Sequence, residues 1–190
     1  MHSRALCVAT LMMGFVSAVV AAPLSQAQRV NPDAAVLADF TARVKAYVDL
    51  RAKVDNTTPP LTETKDPAKI AAAEKALAEK MRAARAGAKP GDIFTPEIRQ
   101  RFRSLLHPEL KGKDGAETKE VIQDSNPGKV PLQVNGVYPT EAPLSTVPPN
   151  ILQALPTLSD GLEYRFVTKH LILRDTRANI IVDFILNAIS

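Results

Sequence analysis

The fold is decided near the end of the chain, where residues 162–185 read LEYRFVTKHLILRDTRANIIVDFI. Apolar and polar residues alternate there in three short runs, LEYRFV (162–167), HLILRD (170–175) and IIVDFI (180–185). A period of two places successive side chains on opposite faces of a β-strand. The stretch therefore predicts a three-stranded antiparallel β-meander, and we assign it residues 161–190.

The two faces of this predicted sheet differ in composition. One face is wholly apolar, and the other mixes apolar with charged side chains. The residues expected on the mixed face are Val167, Ile172, Ile181, Ile185, Glu163, Arg165, Arg174 and Asp183. A face of this kind is seldom left fully in water, so we expect a helix or the proline-rich part of the chain to cover some of it.

The preceding part of the chain predicts helices. Three segments begin with a capping residue followed by proline, at Asn31-Pro32, Asp66-Pro67 and Thr95-Pro96, which is the usual helix start. Apolar residues follow at spacings of three and four, with Arg51 at one apolar position of the first helix. The pattern predicts a helical region over 28–110, in which two helices form a hairpin and a third, shorter helix follows.

Residues 111–160 predict a polar and proline-rich connecting arm. From Lys111 to Gln123 the chain is polar, which favours no more than two frayed helical turns. Seven prolines follow between Pro127 and Pro156. Val130, Leu132 and Val134 alternate with polar or proline positions and predict an edge strand, where proline is tolerated. The whole chain is thus expected to be of the α+β class.

The first 27 residues predict a signal peptide. Ala5 to Val20 are almost entirely apolar, yet the run is shorter than the roughly 20 residues that span a membrane. Small residues then allow cleavage after Ala21, Ala22 or Ala27, of which we favour Ala27. An uncleaved anchor is the alternative. We expect an exported protein, periplasmic or secreted, without a transmembrane segment once the signal is removed.

Removal of this segment also limits the chemistry. The only cysteine is Cys7, so the mature protein is expected to contain no thiol, disulfide or cysteine-ligated metal. His107 and His170 are the remaining histidines, and they show no His-x-x-x-His spacing. We expect His170 to lie on a strand across from Asp183 and Glu163, as a surface residue. The sequence therefore predicts no metal site and no cofactor.

The three runs of the meander resemble the ending of uncharacterised exported bacterial proteins. More distantly they are similar to the C-terminal strands of RcnB-like periplasmic proteins, a family linked to nickel and cobalt homeostasis. The chain departs from that family at Thr168-Lys169, where those proteins place glycine in a turn that favours positive φ. The resemblance implies a small periplasmic β-meander and transfers no binding residue.

Enzymatic motifs are missing from the sequence. It contains no Gly-x-Ser-x-Gly elbow and no glycine-rich phosphate loop, so we assign no catalytic residue. Aromatic residues make up 5% of the chain, too few for a platform that stacks bases. Since export also separates the protein from nucleic acid, we expect no nucleic-acid partner.

The charge distribution leaves two kinds of partner open. The chain carries a net charge of +4, and its basic surplus lies in the helical region. Arg99, Arg101 and Arg103 cluster without acids, although alternate positions on a helix do not form one patch. We expect a non-catalytic protein that acts through a protein partner or an anionic envelope surface, using the mixed sheet face and the proline-rich arm. A carboxylate-based hydrolase is the alternative function.

Overall fold

The computed structural model describes residues 31–57 and 64–189, and the predicted signal peptide lies outside these residues. Helices and a three-stranded antiparallel sheet of order β1-β2-β3 confirm the α+β class. The helices are α1 (Pro32–Asp55), α2 (Pro67–Ala84), α3 (Pro96–Glu109), α4 (Gly112–Asp124) and α5 (Pro149–Ala154). The strands are β1 (Leu162–Val167), β2 (His170–Asp175) and β3 (Ile180–Ile185).

The first three helices begin where the capping residues predict. The side chains of Asn31, Asp66 and Thr95 each accept a hydrogen bond from a backbone N–H two or three residues later. Proline follows each cap, where the absence of an N–H costs nothing because that group has no partner within a helix. α1 and α2 contact each other as a hairpin, and α1 also contacts α3. No helix in the described residues is both long and apolar enough to cross a membrane.

The polar segment after α3 forms a full helix, α4, of 13 residues, so the prediction of one or two frayed turns was wrong. Only Gly115, Thr118 and Ile122 of this helix are buried. These positions lie on one side of a helix, since they are three and four residues apart. A Cβ at Gly115 would lie 2.2 Å from the carbonyl carbon of Leu110, so the absence of a side chain permits this close approach.

The arm contains no strand over Val130–Val134, so that prediction was also wrong. Backbone pairing of the arm with the sheet comes later, where Val137 forms an isolated antiparallel bridge with Ile180 and Asn135 donates to the carbonyl of Ile181. Pro131 lacks an N–H for a ladder, and the positive φ of Asn135, 62°, turns the chain out of the extended conformation.

The apolar face of the sheet packs against the helices. Phe102 of α3 meets Phe40 at 4.9 Å, Phe94 at 5.2 Å and Tyr164 at 6.1 Å between ring centroids, in edge-to-face arrangements. Such pairs add about 0.5–1.5 kcal/mol each to the burial of the rings. This aromatic group joins α1, α3 and β1 into the main core.

The arm covers the second face of the sheet, as expected. Three of its residues, Val130, Val134 and Tyr138, pack there. The sheet residues beneath them are Val167, Ile172, Ile181 and Phe184.

A β-bulge in β3 reverses part of the predicted arrangement. Leu173 pairs with Asp183 while Arg174 pairs with Ile181, so Val182 is an extra residue in β3. Beyond the bulge the side chains exchange faces. Asp183 and Ile185 therefore lie on the helical side of the sheet, and their predicted placement on the mixed face was wrong.

Candidate functional site

Two fully buried aspartates lie on the helical face of the sheet, and the sequence did not single out either as buried. Asp175 accepts a hydrogen bond of 2.6 Å from the hydroxyl of Tyr47 and lies 3.3 Å from the guanidinium of Arg51. Its other oxygen accepts from the backbone N–H groups of Arg177 and Ala178. Asp175 thus links α1 to the turn between β2 and β3.

Asp183 links the sheet to the connection between α2 and α3. Its carboxylate accepts from the backbone N–H groups of Gly91, Ile93, Phe94 and Phe184, at 2.8–3.2 Å. Hydrogen bonds to a charged group contribute more than neutral ones, about 1.5–3 kcal/mol each. The bulge at Val182 is the feature that turns this carboxylate toward the helices.

Two arginines lie close enough to the aspartates to interact with their charges, and Arg51 forms an ion pair with Asp175. Arg51, at its apolar position of α1, is 5% exposed and donates to the carbonyl groups of Asp160 and Gly161. Arg85 lies over the ring of Tyr47, 5.0 Å from its centroid.

These surroundings shift the pKa values of two groups in the cluster. Burial, and then the negative charge of Asp175, raise the pKa of Tyr47 far above its ordinary value. Burial lowers the pKa of Arg85, although the nearby acids oppose this shift. In the cluster of Tyr47, Arg51, Arg85 and the two aspartates, every member except the half-buried Arg85 is buried. The cluster therefore connects parts of the fold and presents little surface to a substrate.

The two histidines are far from the arrangement that the sequence predicted. His170 pairs with Val167 at the start of β2, so it does not lie across from Asp183 or Glu163 as expected. Its Nδ1 accepts from the backbone N–H of Asn187 at 2.9 Å. Partial burial and the adjacent Lys169 lower the pKa of His170. His107 lies in the last turn of α3, and across residues 31–57 and 64–189 no group of three His, Cys, Asp or Glu side chains could hold a metal ion.

Two of the three clustered arginines of α3 have partners in the fold. Arg101 forms an ion pair of 2.9 Å with Asp33 at the start of α1. Arg103 donates to the backbone carbonyl of Leu186 at 2.8 Å. These contacts hold α3 to its neighbours and reduce the basic surface that it presents to solvent.

An open groove lies at the outer edge of β1, and we name it the β1 groove. It has a volume of about 490 Å³ and lies between the arm, α5 and β1. Val147, Leu152 and Leu158 provide apolar walls, and Leu162–Arg165 provide the floor. The side chain of Leu152 is 49% exposed although it is large and apolar.

A charged pair borders this groove. Glu163 accepts hydrogen bonds of 2.6 Å from Arg165 and from Arg174. Burial would raise the pKa of Glu163, but the two arginine hydrogen bonds outweigh it and hold the pKa below its ordinary value. Arg165 also donates to the carbonyl of Ser145, while its Nε is buried and has no partner among the described residues. The groove thus combines apolar walls with an ionised pair at one side.

Two further hollows flank the turn between β1 and β2. They have volumes of about 320 and 350 Å³, and Thr168 borders both. Thr168 has a φ of 55°, a strained conformation for a β-branched residue. The turn lies where the sequence predicts it, at Thr168-Lys169, and threonine does occupy a position that favours glycine.

Comparisons of the chain with known proteins give no match. No protein-family model, no curated protein and no solved structure matches it. The resemblance of the three strands to RcnB-like proteins therefore stays a prediction.

Proposed function

We propose that this protein is exported and non-catalytic, and that it acts by binding a protein partner in the β1 groove. The observation that carries the proposal is the groove itself, with apolar walls, a half-exposed Leu152 and the ion pair of Glu163 and Arg165 at one side. Its volume of about 490 Å³ falls within the range of roughly 300–1,000 Å³ that is usual for binding sites.

The surroundings of the acidic residues favour binding over catalysis. The carboxylates of Asp175 and Asp183 are fully buried, and they accept hydrogen bonds from backbone groups and from Tyr47. A general acid or base must reach its substrate directly or through one water. Glu163 borders the groove, but its lowered pKa is opposite to the raised pKa that a carboxylic acid needs to donate a proton near neutral pH.

We propose a contact surface at the sheet edge in place of the sheet face that the sequence favoured. The mixed face was predicted to contact a partner, but Val130, Val134 and Tyr138 of the arm pack against it. The groove lies at the edge of β1, beside the part of the arm that includes Val147. A protein partner suits this site better than an anionic envelope surface, because the groove is apolar and carries charges of both signs.

If the protein is exported, its partner is located in the periplasm or outside the cell. Residues 1–27 have the pattern of a signal peptide, and we propose that they are removed. Intact-mass measurement of the protein from a cell envelope fraction tests this directly. A mass that matches a chain starting at Gln28 is expected, whereas recovery of the uncleaved chain in the cytoplasm would contradict export.

Site-specific photo-crosslinking tests the binding site. A benzoylphenylalanine replaces Leu152 in the groove or, as a matched control, Val121 on α4; both residues are exposed and apolar, at 49% and 44%. We expect a crosslinked protein adduct from position 152 that is absent at position 121, in cells that make the chain naturally. The adduct should also disappear when Val147→Glu places a charge on the groove wall.

Equal adducts at both positions, or none at position 152, would reject the groove as the binding site. Circular dichroism of each variant, compared with the unmodified chain, establishes that the loss of an adduct does not reflect loss of the fold.

A further inference from the structure

We infer that the occupant of the β1 groove is an extended peptide segment of the partner, which adds a strand to the outer edge of β1 opposite Tyr164. This inference rests on the proposed function and specifies the chemistry of its ligand. It starts from the direction in which the backbone groups of β1 point.

The pairing of β1 with β2 fixes that direction. Val167 faces His170 across a two-residue turn, so these two residues form a hydrogen-bonded pair. In an antiparallel ladder such pairs recur at every second residue, and the residues between them point their N–H and C=O groups away from the neighbouring strand. The outward-pointing residues of β1 are therefore Leu162, Tyr164 and Phe166.

The described part of the chain bonds both outward groups of this edge at Phe166 and the N–H at Leu162, but neither group in the middle. The backbone N–H of Phe166 donates to the hydroxyl of Ser145 at 2.9 Å, and that hydroxyl donates to the carbonyl of Phe166 at 2.6 Å. The N–H of Leu162 donates to the carbonyl of Ser159 at 3.1 Å. Between them, the outward N–H and C=O of Tyr164 have no partner in the described part of the chain.

The arm cannot complete this edge, for a reason visible in its sequence. Ser145 contacts β1 through its side chain, and the chain then reaches Pro148 and Pro149, which have no N–H to donate. It turns into α5 and leaves the edge at Tyr164 open on the floor of the groove.

An unpaired N–H beside an unpaired C=O matches one kind of ligand. A residue in an extended peptide offers a C=O and an N–H at the same spacing, and strand addition to a sheet edge uses this match. A purely apolar small molecule would cover both groups without bonding them, which is unfavourable for buried polar atoms. The observations therefore favour a peptide over a lipid-like ligand.

The faces of β1 also set the pattern of side chains in the peptide. A residue opposite Tyr164 places its side chain on the same face as the Tyr164 ring, toward apolar walls that include Leu152 and Leu158. The residues on either side of it point to the face that carries Glu163 and Arg165. We expect an apolar residue flanked by polar residues, which suit the charges of Glu163 and Arg165.

Peptide N-methylation tests the mode of binding. Heptapeptides are selected from a phage-displayed random library on the full chain after signal removal, and their affinities are measured by fluorescence anisotropy. Methylation of the amide that pairs with Tyr164 should weaken binding roughly tenfold, since it removes one hydrogen bond and adds a clash. Methylation of the next amide, which points away from β1, is the matched control and should change affinity less than twofold.

Amide hydrogen exchange of the protein gives a second, independent measurement. In the free protein the N–H of Tyr164 should exchange faster than those of Glu163 and Arg165, because only the latter two bond to β2. Bound peptide should slow exchange at Tyr164 and leave the other two unchanged.

The outcomes separate this inference from the proposed function. Groove crosslinks at position 152 together with no effect of N-methylation, or no slowing of exchange at Tyr164, would overturn strand addition and leave groove binding intact. Loss of the crosslinks at position 152 would overturn the proposed function itself. Selected peptides that still bind the Val147→Glu variant with full affinity would show a different site and would overturn the inference.

Discussion

The helical face of the sheet and the outer edge of β1 use charged residues in opposite ways. On the helical face, Asp175 and Asp183 are fully buried, and their oxygens accept hydrogen bonds from four different parts of the chain. At the edge, Glu163 and Arg165 are partly exposed and border an open groove. Within one small sheet, buried charge therefore fixes the fold, while charge at the edge is available to a partner.

The largest effect is expected when the inner face is disrupted. Asp183→Ala leaves four backbone N–H groups, including those of Ile93 and Phe94, without their acceptor. A buried donor that loses its acceptor costs about 1–3 kcal/mol, so the four groups together cost at least about 3 kcal/mol. We expect the free energy of unfolding in urea to fall by that amount. Asp183→Asn keeps one acceptor oxygen, so its free energy of unfolding should fall by less. Equal decreases for the two variants would contradict the role assigned to the carboxylate.

An intermediate effect, of opposite sign, is expected at the turn that ends the β1 edge. Thr168 has a φ of 55°, and a β-branched residue pays about 1–2 kcal/mol in that region while glycine does not. Thr168→Gly should therefore stabilise the protein by about 1 kcal/mol in thermal or urea unfolding. Lys169→Gly is the matched control in the same turn, where φ is not positive, and it should give no gain. If glycine increased the stability at position 169 and not at position 168, the proposed backbone strain at Thr168 would be contradicted.

The smallest effect is expected at the partly exposed pair. Glu163→Gln removes a carboxylate that forms ion pairs with Arg165 and Arg174. Ion pairs near the surface contribute less than about 1 kcal/mol to the free energy of unfolding. Because the pKa of Glu163 is lowered in the folded state, its contribution is present above the unfolded pKa of about 4.3 and is lost as pH falls through the folded pKa.

The stability difference between the wild type and Glu163→Gln should accordingly shrink on acidification below about pH 4.3. Urea unfolding of both proteins at several pH values measures it. A difference that is unchanged at low pH would mean that the carboxylate charge at the edge contributes nothing, and the contrast between the two regions would be wrong at that point.

The elements that the sequence predicted correctly depend on local signals. Asn31, Asp66 and Thr95 cap helices because each side chain bonds a backbone group two or three residues away. The three strands follow from a period of two, which exists before any contact forms. α4 was underestimated because only three of its residues are buried, and their apolar content is too low to show a helical stripe.

The errors arose where distant segments decide the outcome. The bulge at Val182 turns Asp183 toward the helices, and the alternation of the sequence contains no sign of it. The strand predicted at Val130–Val134 has the right alternation, yet Asn135 turns the chain, and the arm bonds to β3 only after that turn begins, at residues 135–137.

The candidate site could not be predicted from the sequence at all. The β1 groove exists only where Val147 of the arm and Leu152 of α5 approach the edge of β1. The backbone N–H and C=O of Tyr164 point into the groove because every second residue of β1 bonds to β2. The two-residue turn at Thr168 fixes which residues those are.

The sequence by itself thus determined the three capped helices, the three strands of the meander and the turn that favours glycine, because these depend on neighbours within a few residues. The tertiary structure alone decided which charges are buried, where β3 bulges and which edge of the sheet stays open. These features depend on contacts between distant segments, in some cases more than a hundred residues apart, such as Tyr47 with Asp175 at a separation of 128 residues. Only packing of the whole chain brings such segments together.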